Sequence, residues 1–468
     1  MPWSRWHWLV VVALGAVWVL DGLEVTIVGA VGARLTERGA LGLSHQELGL
    51  AGTAYVAGGA AGALVLGYLT DRLGRKRLFV ATLLIYLAGT VATAFAWDFW
   101  SFGFFRFITG LGIGGEYAAI NSAVEELVPA RVRGWVDLAV NGSYWLGAAV
   151  GGALSGVLLS PRIFAVDVGW RLGFGLGALV GLFIVFLRRV LPESPRWLVT
   201  HGREEEAEAV LAGIEDEVGR STGRPELPEA EGSIRIQPRE GTGFGEIVRT
   251  LFKTYPRRSF VSFALLATQG FLYNAVLFTF SDGLTRFFGV PSARSGIYLV
   301  PFATANFLGA VLLGRLFDTA GRRRMISGTY LIAAAGAVVT GALFRSDMIS
   351  AAGFVGLLSA TFFFASAAAS AGNLTVCEVF PLETRAVAIA FFQAISLAIG
   401  AAAGPGLFGS LIQTGRREAL FLGYAAAAAL MAAAAVIEAL FGIDAEQASL
   451  EDIAEPLSTR AAHASESE

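Results

Sequence analysis

The chain has 468 residues, 55% of them hydrophobic and only 16% charged, with a formal net charge of −3. A soluble globular protein carries about 25% charged residues, so this deficit and a mean hydropathy of +0.61 point to lipid as solvent. The near-neutral balance offers no basic surface for nucleic acid. The single cysteine, Cys377, excludes an intramolecular disulfide and any cysteine-based metal cluster.

A helix that crosses the hydrocarbon needs about 20 apolar residues. Segments of that kind lie at about 8–33, 47–69, 78–97, 100–122, 134–158 and 170–190, then at about 258–284, 293–316, 325–344, 350–376, 386–412 and 417–441. The first is too long for the apolar region of a signal peptide and has no convincing cleavage site. It carries Asp21 and Glu24, three residues apart on one face. Between the second and third runs Gly67-Tyr68-Leu69-Thr70-Asp71-Arg72-Leu73-Gly74-Arg75-Lys76-Arg77. The fourth holds Arg106 and Glu116 in apolar surroundings, and Glu126-Leu127-Val128-Pro129-Ala130-Arg131-Val132-Arg133 follows it. The fifth carries Asn141, Tyr144 and Trp145.

A polar stretch over 191–257 then divides the apolar segments six and six. From Glu204 to Gly219, Ala207, Val210, Leu211, Ile214 and Val218 recur at helical spacing, which predicts an amphipathic helix. Residues 220–245 read as a flexible linker and 454–468 as a disordered tail. The seventh segment brings Gln269, Tyr273 and Asn274, and Asn306, Asn373 and Gln393 follow in later ones. Gly404-Pro405-Gly406 would break or bend the eleventh.

Two stretches recur. Gly314-Arg315-Leu316-Phe317-Asp318-Thr319-Ala320-Gly321-Arg322-Arg323-Arg324 repeats the first loop at an offset of 314 − 67 = 247, and Glu378-Val379-Phe380-Pro381-Leu382-Glu383-Thr384-Arg385 repeats the second at 378 − 126 = 252. Two matches at nearly equal offset define two equivalent halves, and a site then belongs at their seam, at mid-membrane depth. The expected fold is an all-α membrane protein with twelve transmembrane helices in two six-helix pseudo-repeats. Its parts are a bundle over 1–190, a central loop over 191–257, a second bundle over 258–441 and a tail over 442–468. Short loops on the signature side carry ten Lys/Arg against eight opposite, and the flanks of the central loop break the tie. The signature side and both termini are therefore expected to be cytoplasmic.

The two loop signatures, Arg106-Phe107-Ile108-Thr109-Gly110-Leu111-Gly112-Ile113-Gly114-Gly115-Glu116 and Pro192-Glu193-Ser194-Pro195-Arg196-Trp197-Leu198 carry a resemblance. The chain resembles the major facilitator superfamily, in the branch of sugar porters, organic-ion carriers and aromatic-acid:proton symporters. A weaker echo of the sugar-porter tail runs from Asp444 to Ile453. In the tenth helix sugar porters usually carry a Gly-Pro…Trp element, where this chain reads Ala367-Ala368-Ala369-Ser370-Ala371-Gly372-Asn373. Asp21-Gly22-Leu23-Glu24 looks more like the acidic pair of aromatic-acid symporters, and the fifth helix lacks the proline of antiporters.

Charge inside a membrane helix costs about 2.5–3.5 kcal/mol on insertion scales, so each instance needs a reason. At a rise of about 1.5 Å per residue, Glu24 and Arg106 fall at similar depth, and Glu116 lies about 15 Å deeper. Glu24 with Asp21 is the expected proton carrier and Arg106 its tuner, and the resemblance implies the same roles. The plainer reading is a permanent ion pair joining the first and fourth helices. Glu116 serves helix packing equally well.

Asn141, Tyr144, Trp145, Gln269, Tyr273, Asn274, Asn306, Asn373 and Gln393 are the candidate substrate contacts; each could instead be interhelical glue worth about 0.6 kcal/mol. Asp71, Arg75, Glu126, Arg133, Glu193, Arg196, Asp318, Arg322, Glu378 and Arg385 form a candidate latch across the signature side; the basic ones could instead only set topology. No nucleotide loop, metal cluster or nucleophile–base set occurs, so neither an enzyme nor a cofactor or metal is expected.

The expectation is a monomeric secondary carrier of the plasma membrane that couples proton entry to a small polar solute, an organic acid ahead of a sugar. One charge crossing 100 mV gains about 2.3 kcal/mol, enough for an accumulation of about 40-fold. The alternatives are an uncoupled facilitator and a transport-dead sensor on a carrier scaffold.

Overall fold

The computed structural model describes residues 1–160, 162–187, 192–223 and 243–457, and no strand occurs among them. Twelve long helices span the described chain. The first six are α1 (Arg5–Leu35), α2 (His45–Leu73), α3 (Arg75–Ala94), α4 (Phe99–Leu127), α5 (Arg133–Leu158) and α6 (Val166–Leu187). The second six are α7 (Pro256–Phe288), α8 (Ser292–Thr319), α9 (Arg322–Arg345), α10 (Ala351–Glu378), α11 (Leu382–Gln413) and α12 (Arg417–Phe441). Among the described residues nine are long and apolar enough to cross a membrane by length and composition alone.

Local chemistry sets the helix starts. Ser44 and Glu47 form a reciprocal cap at α2, with the Ser44 N–H donating to Glu47 over 2.8 Å. Asp98 caps α4 by accepting from the Ser101 N–H at 2.8 Å, a bond that holds its carboxyl below the usual range. The duplicated loop is duplicated in shape. Gly74 before α3 and Gly321 before α9 take φ of 96° and 102°, a region that favours glycine and lets two helices follow each other almost without a loop.

Glycines also set how closely the helices cross. On α4, Gly110 and Gly114 lie against the backbone of α2 at Tyr55 and Gly59, where a Cβ would strike carbonyl oxygen. The two halves meet where α5 packs on α8 and α2 on α11. The largest buried cluster belongs to α7–α12 and takes in Leu138, Trp145 and Ala148 of α5.

The polar segment between the halves holds more structure than its composition announces. The amphipathic helix expected over 204–219 runs from Glu204 to Thr222, with Ile214 and Val218 in the cluster around Trp6 and Val10 of α1. Pro195–Thr200 forms a further short helix, and Phe244–Arg249 another that leads into a π-turn at Thr250–Thr254. Most of the expected linker, 224–242, lies outside the described residues. Of the tail expected to be disordered over 454–468, 458–468 lies outside the described residues and 454–457 is corrected: the chain is packed to Leu457, with Leu450, Ile453 and Ala454 buried. The apolar spacing of these three is too sparse to register in a hydropathy window, and the stretch is tied to both halves by its neighbours, the Ala448 carbonyl accepting from Arg133 and the Leu457 N–H donating to Glu383. Helix α11 runs unbroken from Leu382 to Gln413, so Pro405 does not end it.

Candidate functional site

Two groups of buried polar side chains stand out, one in the interior of the first half and one at the signature face. In the interior, Asp21, Glu24 and Arg106 are each at most 2% exposed. Glu24 Oε1 accepts from Arg106 Nη1 at 2.5 Å, and its Oε2 accepts from the Thr90 hydroxyl of α3 at 2.9 Å. Asp21 accepts from two phenols, Tyr55 of α2 at 3.3 Å and Tyr117 of α4 at 3.1 Å. The Arg106 guanidinium lies 4.3 Å over the Tyr55 ring and so touches the surroundings of both acids. Tyr55, Thr90 and Tyr117 are site residues that sequence reasoning missed. Tyr and Thr are ordinary in apolar helices, and only the crossing of α2, α3 and α4 on α1 gives them a partner.

The candidate solute contacts are distributed over both halves. Trp145 of α5 meets Tyr273 of α7 with ring centroids 5.1 Å apart, and Tyr144 packs on Trp145 and Trp18. The Tyr273 hydroxyl donates to Asn306 at 3.1 Å. Gln269 sits one turn before Tyr273, and its buried Oε1 has no hydrogen-bond partner. Asn274 donates to the Gly270 carbonyl at 2.8 Å. Asn373 is buried in α10 and Gln393 half-buried in α11. Asn141 instead donates to Asp137 at 3.0 Å and to Asn121 at 3.4 Å, inside its own half.

At the signature face the internal repetition becomes chemistry. Arg75 pairs with Glu126 in the first half and Arg322 with Glu378 in the second, at equivalent positions. Glu193 accepts from the Arg75 and Lys76 N–H groups at 2.9 and 3.1 Å, and Glu446 from the Arg322 N–H at 3.4 Å. These carboxylates cap α3 and α9 at their positive dipole ends, and their offset, 446 − 193 = 253, extends the duplication to a third place.

Other bonds cross between the halves. Arg133 reaches Glu378 at 3.3 Å while also facing Glu125 of its own half at 3.4 Å. Asp318 of α8 accepts from the Gly134 and Trp135 N–H groups at 3.0 and 2.8 Å and so caps α5 of the other half. Gly134 is required there, because a Cβ would strike that carboxylate. Arg196 pairs with Glu451 of the tail at 2.8 Å, and Arg133 also donates to the Ala448 carbonyl at 3.4 Å. Burial opposes ionisation of Glu451, but the Arg196 guanidinium outweighs it and holds the carboxyl below its usual range.

One expectation about the latch changes. Arg385, fully buried, donates to the Phe380 carbonyl at 3.2 Å rather than to a carboxylate, because its turn folds back on the end of its own α10–α11 loop. Arg196 takes its carboxylate from the tail and also touches the Glu126 carbonyl at 3.4 Å. The side chain of Asp71 lies outside the described residues. Glu125, Glu446 and Glu451 were missed; alignment of the two halves would have found Glu446 opposite Glu193.

Twelve helices in two repeats, closed over buried charge at their seam, define a membrane carrier of the major facilitator type. Residues 31–407 match the model of the sugar (and other) transporter family, and the chain belongs to that family. Its members are transporters and not enzymes.

The chain is 28% identical over 330 residues to the niacin transporter NiaP of Acinetobacter baylyi, covering 70% of this chain and 71% of that one. It is 27% identical over 332 residues to the arabinose-proton symporter of Bacillus subtilis, covering 68% and 67%. A solved structure of the proton:xylose symporter XylE bound to 6-bromo-6-deoxy-D-glucose shares the fold at a TM-score of 0.77 and 19% identity, over 97% of this chain and 98% of that one.

Proposed function

We propose that the chain is a proton-coupled symporter that imports a small polar metabolite by alternating access. Residues 1–190 and 258–441 act as the two rocking bodies. The signature face and both termini lie on the cytoplasmic side of the plasma membrane, and the carrier works as a monomer.

The observation that carries this reading is the Glu24–Arg106 pair at 2.5 Å, with Asp21 one turn away and all three buried. One guanidinium, paired with Glu24, stands against two buried acids, so the group as a whole holds a proton or a net negative charge. Moving that balance between two waterfronts is what coupling requires. The relatives support a proton as partner, since one of them is named an arabinose-proton symporter.

For the solute, an organic acid is favoured over a sugar. The rings of Tyr144, Trp145 and Tyr273 stand at angles to one another and form an apolar aromatic corner, with Gln269 and Asn306 as polar points, which suits an aromatic acid such as the niacin for which a relative is named. A second reading has one specific observation in its favour. Both oxygens of Glu24 are engaged, by Arg106 and Thr90, as in a permanent strut of an uncoupled facilitator.

Liposome uptake of niacin and of arabinose, with and without an imposed pH gradient, separates the two. Glu24→Gln abolishes uphill accumulation and spares counterflow in the symporter. Equal loss of both would show the pair to be a strut.

A further inference from the structure

One buried acid takes no part in the coupling group or the latch. Asp137 lies on α5 one turn beyond Arg133, with no exposure. One oxygen accepts from Asn141 at 3.0 Å, and the other, Oδ1, has no hydrogen-bond partner.

The charged groups around it come from the neighbouring helices α4, α8 and α9. Glu125 of α4, Arg322 of α9 and Asp318 of α8 act on it directly, and Cys377 of α10 lies within reach. Arg133 of α5, Arg385 of α11 and Arg196 act through Glu125, and the part-exposed Arg196 is balanced by Glu451 of the tail. Within this buried cluster the three guanidiniums of Arg133, Arg322 and Arg385 match three carboxylates, Glu125, Glu378 and Asp318. Asp137 is the fourth acid. An excess buried negative charge without a paired cation is disfavoured far more than a neutral carboxyl.

A polar ladder joins Asp137 to the coupling group. Asp137 binds Asn141, and Asn141 binds Asn121 of α4 at 3.4 Å. Tyr117, one turn earlier on α4, donates to Asp21. One helical turn is about 5.4 Å, so two carboxyls are linked by amides and a phenol with a single such step between them.

We propose that Asp137 is a second proton station, holding a proton while the signature face is closed and releasing it to water on that side when the halves part. The balance is simple: the carboxyl O–H breaks, the proton passes to water, and the carboxylate remains. A neutral Asp137 leaves the closed cluster balanced. An ionised one adds repulsion against Glu125 and Asp318 and favours separation. Protonation therefore stabilises the closed state, and opening increases as pH rises. This rests on the proton-coupling reading, but its test does not need a solute.

Infrared spectroscopy of the purified full chain detects protonated carboxyls by a C=O stretch that shifts on deuteration. Asp137→Asn should remove one such band at neutral pH, and Asp137→Glu should move it. Spin labels at the exposed positions Arg77 and Arg324, in a Cys377→Ala background, report the width of the signature face as pH is raised. Loss of one linked proton in Asp137→Asn lowers the pH response of opening by up to about tenfold per pH unit.

If Asp137→Asn leaves the carboxyl bands as in the wild type, Asp137 is ionised and the proposal is overturned. A lost band with an unchanged pH response overturns its role in opening. Should Asp137→Asn not fold, the displaced band and altered pH midpoint of Asp137→Glu decide. Glu24→Gln keeps the Asp137 band in either case. Should that variant also keep uphill uptake, the coupling reading fails while the Asp137 assignment stands.

Discussion

Glu378 bridges the two halves at the signature face, and replacing it with Gln separates two contacts that its position combines. It faces Arg322 of its own half and Arg133 of the other. Only the second contact is broken when the halves part. Arg133 also faces Glu125 of its own half at 3.4 Å, a contact that parting of the halves need not break, so the part of the bond specific to closure is one charge-assisted contact. Such a contact contributes about 1.5–3 kcal/mol, which converts to a shift of about ten- to a hundredfold toward the open face. Within its half, Arg322 loses its Glu378 partner and keeps Asp318 alone, at 3.6 Å, a loss of up to about 3–5 kcal/mol that appears in melting.

The assay is the distance distribution between spin labels at Arg77 and Arg324 in the Cys377→Ala background, alongside thermal unfolding. Glu378→Gln should broaden the distribution and move it to longer distances, as should Arg133→Gln, with the double variant less than additive. A lowered melting temperature with an unmoved distribution would refute the latch and leave Glu378 as a strut within its own half.

Further outcomes follow from other contacts. Gly110→Val drives a side chain into the Tyr55 carbonyl of α2, and overpacking of this kind costs about 1–3 kcal/mol, read as a fall in melting temperature; Gly103→Ala, where a Cβ meets nothing, should leave it unchanged. Glu451 has a depressed carboxyl, so its pairing with Arg196 is present above the ordinary glutamate range of about 4.3 and is lost as pH falls below it. Hydrogen exchange at Ile453 and Ala454, corrected for intrinsic rates, should rise with acidification and do so at neutral pH in Glu451→Gln. Asp318→Asn weakens the bonds to Gly134 and Trp135, and the amides at the start of α5 should exchange faster while those of α3 do not.

The fold was legible because lipid imposes a coarse code: length, hydropathy and charge suffice to mark the twelve helices, and a repeated loop needs only alignment. The Glu24–Arg106 meeting could be anticipated from depth, since a straight helix converts residue number into height. What one sequence could not give is azimuth. Tyr55 and Tyr117 reach Asp21 only because the glycines of α4 bring its backbone against α2, and Asn141 turns toward Asp137 rather than toward the seam. The tail was invisible for another reason. Leu450, Ile453 and Glu451 are individually weak signals, and Glu451 acts through Arg196, 255 positions away.

The Asp318 cap has a consequence for how such a face can open. When the halves separate, the first amides of α5 lose their acceptor, and bulk liquid must take its place. Each turnover then draws a small, fixed number of solvent molecules into the crevice. Osmotic stress from excluded solutes should therefore hold the crevice shut and slow the cycle, more steeply in the native chain than where Gly134 and Trp135 are already hydrated.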